Sequence, residues 1–219
     1  MKLLVLGATG GVGRHIVSQA QQRGHDVIAL VRPETAYDGP CLRGDPCDAA
    51  VVRSALDGVG CVVSSLGMRR KNVLNPFSAI LGRTDLGAAS ARAIVDAMRG
   101  AGVGKLVAVS AAGVAESAPG MNVVMRGLVA SSNIGVAYRD LAEMEKIFAD
   151  SDLDWCAVRP VTLTDGAHTG RVRVVGHFGA FMTISRADVA HHVLDRVDVS
   201  GGPRLPQIAG GASQETRPG

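Results

Sequence analysis

Glycines at four of seven consecutive positions constrain this chain more than any other feature. The run Gly7-Ala8-Thr9-Gly10-Gly11-Val12-Gly13 directly follows the apolar residues Leu3, Leu4, Val5 and Leu6. It leads into Val12, Ile16, Val17 and Ala20, which recur at helical spacing. A buried strand that turns through glycines into a helix is the arrangement that receives the pyrophosphate of a dinucleotide. Gly7 suits the tight turn, Gly10 the close approach of backbone to phosphate, and Gly13 the close packing of helix on strand. Thr9, Gly11 and Val12 complete the loop, whose N–H groups at the helix start would face the anion.

The same alternation continues along the chain. Gly24 ends the first helix, and a second strand is predicted at 27–31. A weak third strand falls near 41–45, and Asp48 is placed to cap a helix carrying Val51, Val52, Ala55 and Leu56. Further strands are expected at 61–65, 105–110 and 155–158, with a short one at 171–175. Helical stripes run through Leu86, Ala89, Ala93, Ile94 and Ala97, then Ile134, Ala137, Leu141, Met144 and Phe148, with a last helix over 187–197. A cap for the second of these is expected within 131–133. Strands alternating with helices predict an α/β fold: a Rossmann-type, doubly wound parallel sheet. The longer, irregular connections after Ser110 predict a small C-terminal substrate region. The reading is one domain over 1–209, with 210–219 a frayed tail.

Composition narrows the functional classes. Aromatic residues are only 3% of a 219-residue chain that is 47% hydrophobic. The core is therefore aliphatic, and a stacking platform for single-stranded nucleic acid is not expected. The net charge of +3 is modest, and Arg69-Arg70-Lys71 is the only dense cationic run. It reads as a solvated loop or as a rim that attracts an anionic ligand. Cys41, Cys47, Cys61 and Cys156 form no Cys-x-x-Cys and lack zinc spacing, so a reduced, cytoplasmic protein without metal is expected. His191 and His192 are adjacent on a helix and point to different faces, while His168 and His177 fall in the expected substrate region. No apolar run reaches the length of a membrane span, and the N-terminal run is too short for a signal peptide. The expected partner is a small-molecule substrate, with neither nucleic acid nor membrane. No helix shows a surplus apolar face, so a monomer or weak homodimer is expected.

About twenty residues beyond the glycines, a chain specialised for NAD places a carboxylate on the ribose. This chain places Arg32 there, which suits a 2′-phosphate. Glu34 can still reach a ribose hydroxyl, and Arg14 can assist from the first helix. NADP(H) is the preferred cofactor on this reading, with NAD(H) possible.

LLVLGATGGVGRHIV at the start, Val31-Arg32, Gly44-Asp45 and SDLDWCAVRP over 151–160 together resemble the atypical short-chain dehydrogenase/reductase superfamily. The chain is most similar to its NAD(P)-binding, NmrA-like group, which includes flavin reductases of the biliverdin reductase B kind. The resemblance covers residues 1 to about 209. It implies that Arg32 meets the 2′-phosphate and that Asp45, with Pro46 beside it, faces the adenine. Ser65, Leu66 and Gly67 would line the cofactor, and Ser110 would stand by the nicotinamide ribose and orient the acceptor. Pro160, Val161 and Thr162 would pass near the nicotinamide amide. Thr162 falls where the flavin reductase carries a histidine, a departure that weighs against flavin or biliverdin as native substrate while the acceptor class stays flavin, quinone or aldehyde. Members of the wider superfamily use a Tyr-x-x-x-Lys pair, in which the lysine acidifies the phenol. Tyr138 has a suitable helix, but Ala142 stands at the lysine position and Lys146 lies two turns on. The resulting expectation is an NADPH-dependent oxidoreductase that passes hydride to a small flat or carbonyl-bearing acceptor, with Ser110 and Tyr138 as catalytic candidates. The alternatives are a non-catalytic NADP(H) sensor and a nucleotide-sugar epimerase or dehydratase.

Overall fold

In the computed structural model, which describes residues 1–72, 75–179 and 181–211, the first half alternates strand and helix. It runs β1 (Lys2–Leu6), α1 (Gly11–Gln22), β2 (Asp26–Val31), β3 (Cys41–Arg43), α2 (Ala49–Ser54) and β4 (Cys61–Ser64). A two-stranded hairpin of β5 (Arg69–Arg70) and β6 (Ile80–Leu81) follows, then α3 (Leu86–Met98) and β7 (Lys105–Val109). The second half holds a 3-10 turn (Ala115–Gly120), α4 (Val123–Ser131), α5 (Asn133–Ala149) and β8 (Asp154–Pro160). It ends with β9 (Thr162–Thr164), β10 (Val172–Val174), β11 (Thr183–Ser185), α6 (Arg186–Asp198) and β12 (Gln207–Gly210).

The main sheet has the order β3-β2-β1-β4-β7-β8-β12-β10. Every neighbouring pair is parallel except β10 with β12. From β1 the chain winds outward to β2 and β3, and from β4 it winds the other way. The strand order therefore reverses between β1 and β4, and the crevice beyond their C-terminal ends is where such sheets bind ligands.

Residue alternation along each strand builds the two layers. Leu3, Val5, Val27, Ala29, Val63 and Val107 face α1 and α6, where they meet Ile16, Val189 and Val193. Leu4, Leu6, Val62, Leu106 and Ala108 face α2, α3 and α5, where they meet Val52, Ile94, Met98, Met144 and Phe148. Strands covered on both faces must be apolar throughout, which explains the unbroken runs in the sequence. Asp48 caps α2 as expected, its carboxylate accepting from the Ala50 N–H at 2.8 Å. Ser132 caps α5. Among the described residues, no helix is long and apolar enough to cross a membrane.

Three features differ from the sequence reading. β5, β6, the 3-10 turn, α4, β9, β11 and β12 were not anticipated, because each is short or lacks a clear period. The fold extends past the expected boundary at 209, since Gly210 pairs with Val172 and the Gly211 N–H donates to the Arg171 carbonyl at 2.7 Å. Residues 212–219 of the expected tail lie outside the described residues. On α5, Asp140 is buried within the stripe read as apolar. Its carboxylate accepts from Gly87 N and Ala88 N at 2.7 and 2.9 Å, so α5 caps the N-terminus of α3.

Candidate cofactor and substrate site

Gly7 closes β1 with φ of +81°, and a Cβ there would stand 2.8 Å from the Ser65 carbonyl oxygen. Both facts require glycine. The Gly10 N–H returns to the Gly7 carbonyl at 2.9 Å. A Cβ at Gly13 would lie 2.0 Å from that same oxygen, so only glycine lets α1 rest on the turn. The Ser65 hydroxyl donates to the carbonyls of Leu6 and Gly7, each at 3.2 Å. Ser65 thus fastens the end of β4 to the loop. Gly10 is the N-cap of α1, with no side-chain cap and no acidic residue in the first turn. The N–H groups of this turn are left for an anion. Val12 contributes only its backbone there, because its side chain is buried in the core.

A cavity of about 450 Å³ opens beside this loop. It brings together Gly7, Thr9, Gly10, Arg32, Asp45, Pro46, Ser65, Leu66 and Gly67, all expected from the sequence. Gly11, Val12 and Gly13 continue the loop into α1. Arg32 reaches Glu34 at 3.4 Å, with both side chains more than half exposed. Such a pair is weak and readily exchanged for a phosphate. Asp45 accepts from the Cys47 N–H at 2.9 Å. Burial, together with the nearby Asp45 carboxylate, pushes the Cys47 thiol up to about 11, so it stays protonated. The structure adds Arg69, from the cationic run, and Arg83. Arg83 forms a bidentate pair with Asp85 at 2.9 Å.

A second cavity, of about 120 Å³, lies past the ends of β7 and β8. Ser110, Tyr138, Pro160, Val161 and Thr162 line it, joined by Met125 of α4 and by Phe178. Ser110 is 7% exposed, and its hydroxyl has no hydrogen-bond partner among the described residues. The Tyr138 phenol donates to the Ala112 carbonyl at 3.1 Å, and burial raises its pKa. Lys146 is exposed farther along α5. In this arrangement Tyr138 holds the loop after β7 and is poorly suited to release a proton.

The chain belongs to the NAD(P)H-binding family. The family's sequence model matches residues 7–198. The chain is 33% identical over 188 residues to a 3-diazoavenalumate denitrifying reductase of a Streptomyces species, covering 79% of this chain and 59% of that protein. It is 38% identical over 81 residues to an isoflavone reductase homolog of Zea mays, covering 30% of this chain and 26% of that protein. The chain thus spans about three fifths of the first relative's length and about a quarter of the second's. The anaerobilin reductase ChuY of Escherichia coli O157:H7 shares the fold over 100% of both chains, with a TM-score of 0.77 and 24% identity. Membership of the NAD(P)H-binding family agrees with the resemblance to the atypical short-chain dehydrogenase/reductase superfamily.

A nicotinamide cofactor of this family fits the residues present. The glycine loop has room only for backbone, and the buried Ser110 hydroxyl needs a partner. The sequence reading missed what holds the substrate side. Arg159, 2% exposed on β8, donates to Glu145 of α5 at 2.9 and 2.5 Å and to Glu116 of the 3-10 turn at 2.6 and 3.1 Å. Burial opposes the charge of Arg159, but the two carboxylates outweigh it and keep the guanidinium protonated. The signal was present as one arginine inside the apolar run Cys156-Ala157-Val158-Arg159-Pro160. Of the histidines, His177 is exposed, and the His168 ring meets that of His191 in a tilted contact, 4.8 Å between centroids, rather than lining either cavity. Among the described residues, no group of three His, Cys, Asp or Glu is placed to hold a metal.

Proposed function

We propose that the protein is an NADPH-dependent reductase that delivers hydride to a small flat or carbonyl-bearing acceptor. The observation that carries this reading is the buried, unpartnered hydroxyl of Ser110 in a cavity lined mostly by apolar side chains. A hydroxyl left without a partner in such a place has a donor to offer to an acceptor oxygen where charge develops. The bound nicotinamide would supply the hydride. Pro160, Val161 and Thr162 would hold its ring end, Gly7 to Gly13 its phosphates, and Asp45, Pro46, Leu66 and Gly67 its adenosine. Met125 and Phe178 would cover the acceptor and exclude water. The proton would come from solvent through the exposed Thr162 side of the cavity, because the Tyr138 phenol is engaged by Ala112. Arg32, with Arg69 and Arg83 across the first cavity, favours a 2′-phosphate and hence NADPH over NADH. The named relatives support the class of chemistry, since two of them are reductases.

A second reading, a sensor that binds NADP(H) without turnover, draws on the absent lysine at position 142 and on the engaged Tyr138 phenol. One experiment separates the two. The protein is titrated with NADPH and NADH, then NADPH oxidation is followed with a flavin, a quinone and an aldehyde. Turnover with any acceptor, falling about tenfold or more in Ser110→Ala at unchanged cofactor affinity, supports the reductase. Unchanged turnover in Ser110→Ala makes Ser110 structural. Tight NADPH binding without turnover on any of the three favours the sensor.

A further inference from the structure

Arg186, the first residue of α6, was not singled out by its sequence context, yet its side chain lies across the glycine loop. A Cβ on Gly11 would stand 2.8 Å from both Cδ and Nε of Arg186. Gly11 is the first residue of α1. The Arg186 side chain is therefore carried over the helix start at Gly11, where no side chain blocks it. Its Nη1 donates to Asp165 at 2.6 Å, and the Asp165 side chain is 87% exposed while that of Arg186 is 25% exposed. The other donors of this guanidinium have no partner among the described residues. Asp188, on the same turn of α6, is not available to them, because it accepts from Thr169, Gly170 and Ser185.

Two like-signed groups are thus held together. An uncapped helix N-terminus carries a partial positive charge, and the guanidinium beside it carries a full one. Their proximity is unfavourable unless an anion sits between them, and the exposed carboxylate of Asp165 offsets it only from one side. From this geometry we infer that Arg186 is a binding residue for the cofactor's pyrophosphate, with Asp165 holding it in waiting. The inference rests on the cofactor reading above. On binding, the diphosphate takes guanidinium donors that are unspent, and the exposed Asp165 carboxylate competes for them only weakly.

The pyrophosphate role predicts a pattern across ligands that the 2′-phosphate role of Arg32 does not share. The apo protein is titrated with NADPH, NADH, ADP-ribose and adenosine 2′-monophosphate, the last of which lacks a pyrophosphate. Arg186→Gln should weaken the first three by about tenfold and leave adenosine 2′-monophosphate unchanged. Arg186→Lys, which keeps the charge but loses the fork, should fall between. Asp165→Asn should bind ADP-ribose as tightly as the wild type or about twofold more tightly, because its competition for the guanidinium is weak. Equal affinity of Arg186→Gln and wild type for ADP-ribose overturns the assignment. So does an Asp165→Asn loss as large as that of Arg186→Gln, which would make the ion pair a structural strap. Failure of the wild type to bind any of the four removes the cofactor reading itself, whereas wild-type binding with an unaffected Arg186→Gln removes only the role of Arg186.

Discussion

Around the glycine loop the restraints are backbone contacts and close packing: Gly13 against the Gly7 carbonyl, Ser65 on two carbonyls, and apolar strands covered on both faces. Beyond Ser110 the restraints are buried charges instead. Arg159 joins β8, α5 and the 3-10 turn, Asp140 joins α5 to α3, and Asp188 joins α6 to the segment before β10. The difference follows from chain geometry. A strand-turn-helix unit closes its own hydrogen bonds, whereas the later segments are tied down from a distance: Asp188 accepts from the Thr169 and Gly170 N–H groups, and Arg159 donates to two carboxylates. The glycine-loop end is thereby fixed by local sequence, and the region beyond Ser110 is fixed by long-range pairs.

The sharpest way to break this contrast is Arg159→Ala. It strands Glu145 in the core and should cost about 3–5 kcal/mol in urea unfolding, with α4 and the second cavity affected before the glycine loop. A loss under about 1 kcal/mol would show that the charges are incidental to the substrate end. Arg32→Glu tests the cofactor end: NADPH should bind about a hundredfold more weakly while NADH changes little, since a carboxylate would face the phosphate. Equal loss for both cofactors would dismiss the 2′-phosphate role.

Asp188→Asn should cost about 2 kcal/mol at neutral pH. Burial alone would raise the Asp188 pKa, but hydrogen bonds from Thr169, Ser185 and Gly170 outweigh it and hold the carboxyl below its usual value. A carboxyl depressed in the folded state adds stability above its unfolded pKa, about 4, and loses it as pH falls through the lower folded value. The penalty of Asp188→Asn should therefore shrink below about pH 4, and a penalty that grows there would contradict the assigned hydrogen bonds. Tyr138→Phe is the smallest effect: about 1 kcal/mol of stability from the lost bond to Ala112, with turnover within about threefold. A turnover loss beyond about a hundredfold would restore Tyr138 as the proton donor.

Much of this was readable from the residues. The glycine loop, the apolar strands and the position of Arg32 carry their meaning locally, because spacing of three or four residues sets a helix face and a turn needs its glycine in place. Ser110 and residues 160–162 were placed by resemblance, and the fold brings them into one cavity. Asp140, Arg159 and Arg186 were not legible as they act. Asp140 lies within a stripe read as apolar, and only the arrival of α3 shows that its carboxylate is spent on the Gly87 and Ala88 N–H groups. Tyr138 had the right helix, and only the nearness of Ala112 showed where its phenol is spent.

The sequence by itself determined a parallel doubly wound sheet and a dinucleotide loop at its first turn, since periodicity and glycine placement are properties of neighbouring residues. The tertiary structure decided which charges are buried and with whom. Arg159 meets Glu116 across 43 positions and Asp140 meets Gly87 across 53. No local pattern encodes such pairs, because their stability comes from the low dielectric and close packing that exist only once the chain has folded.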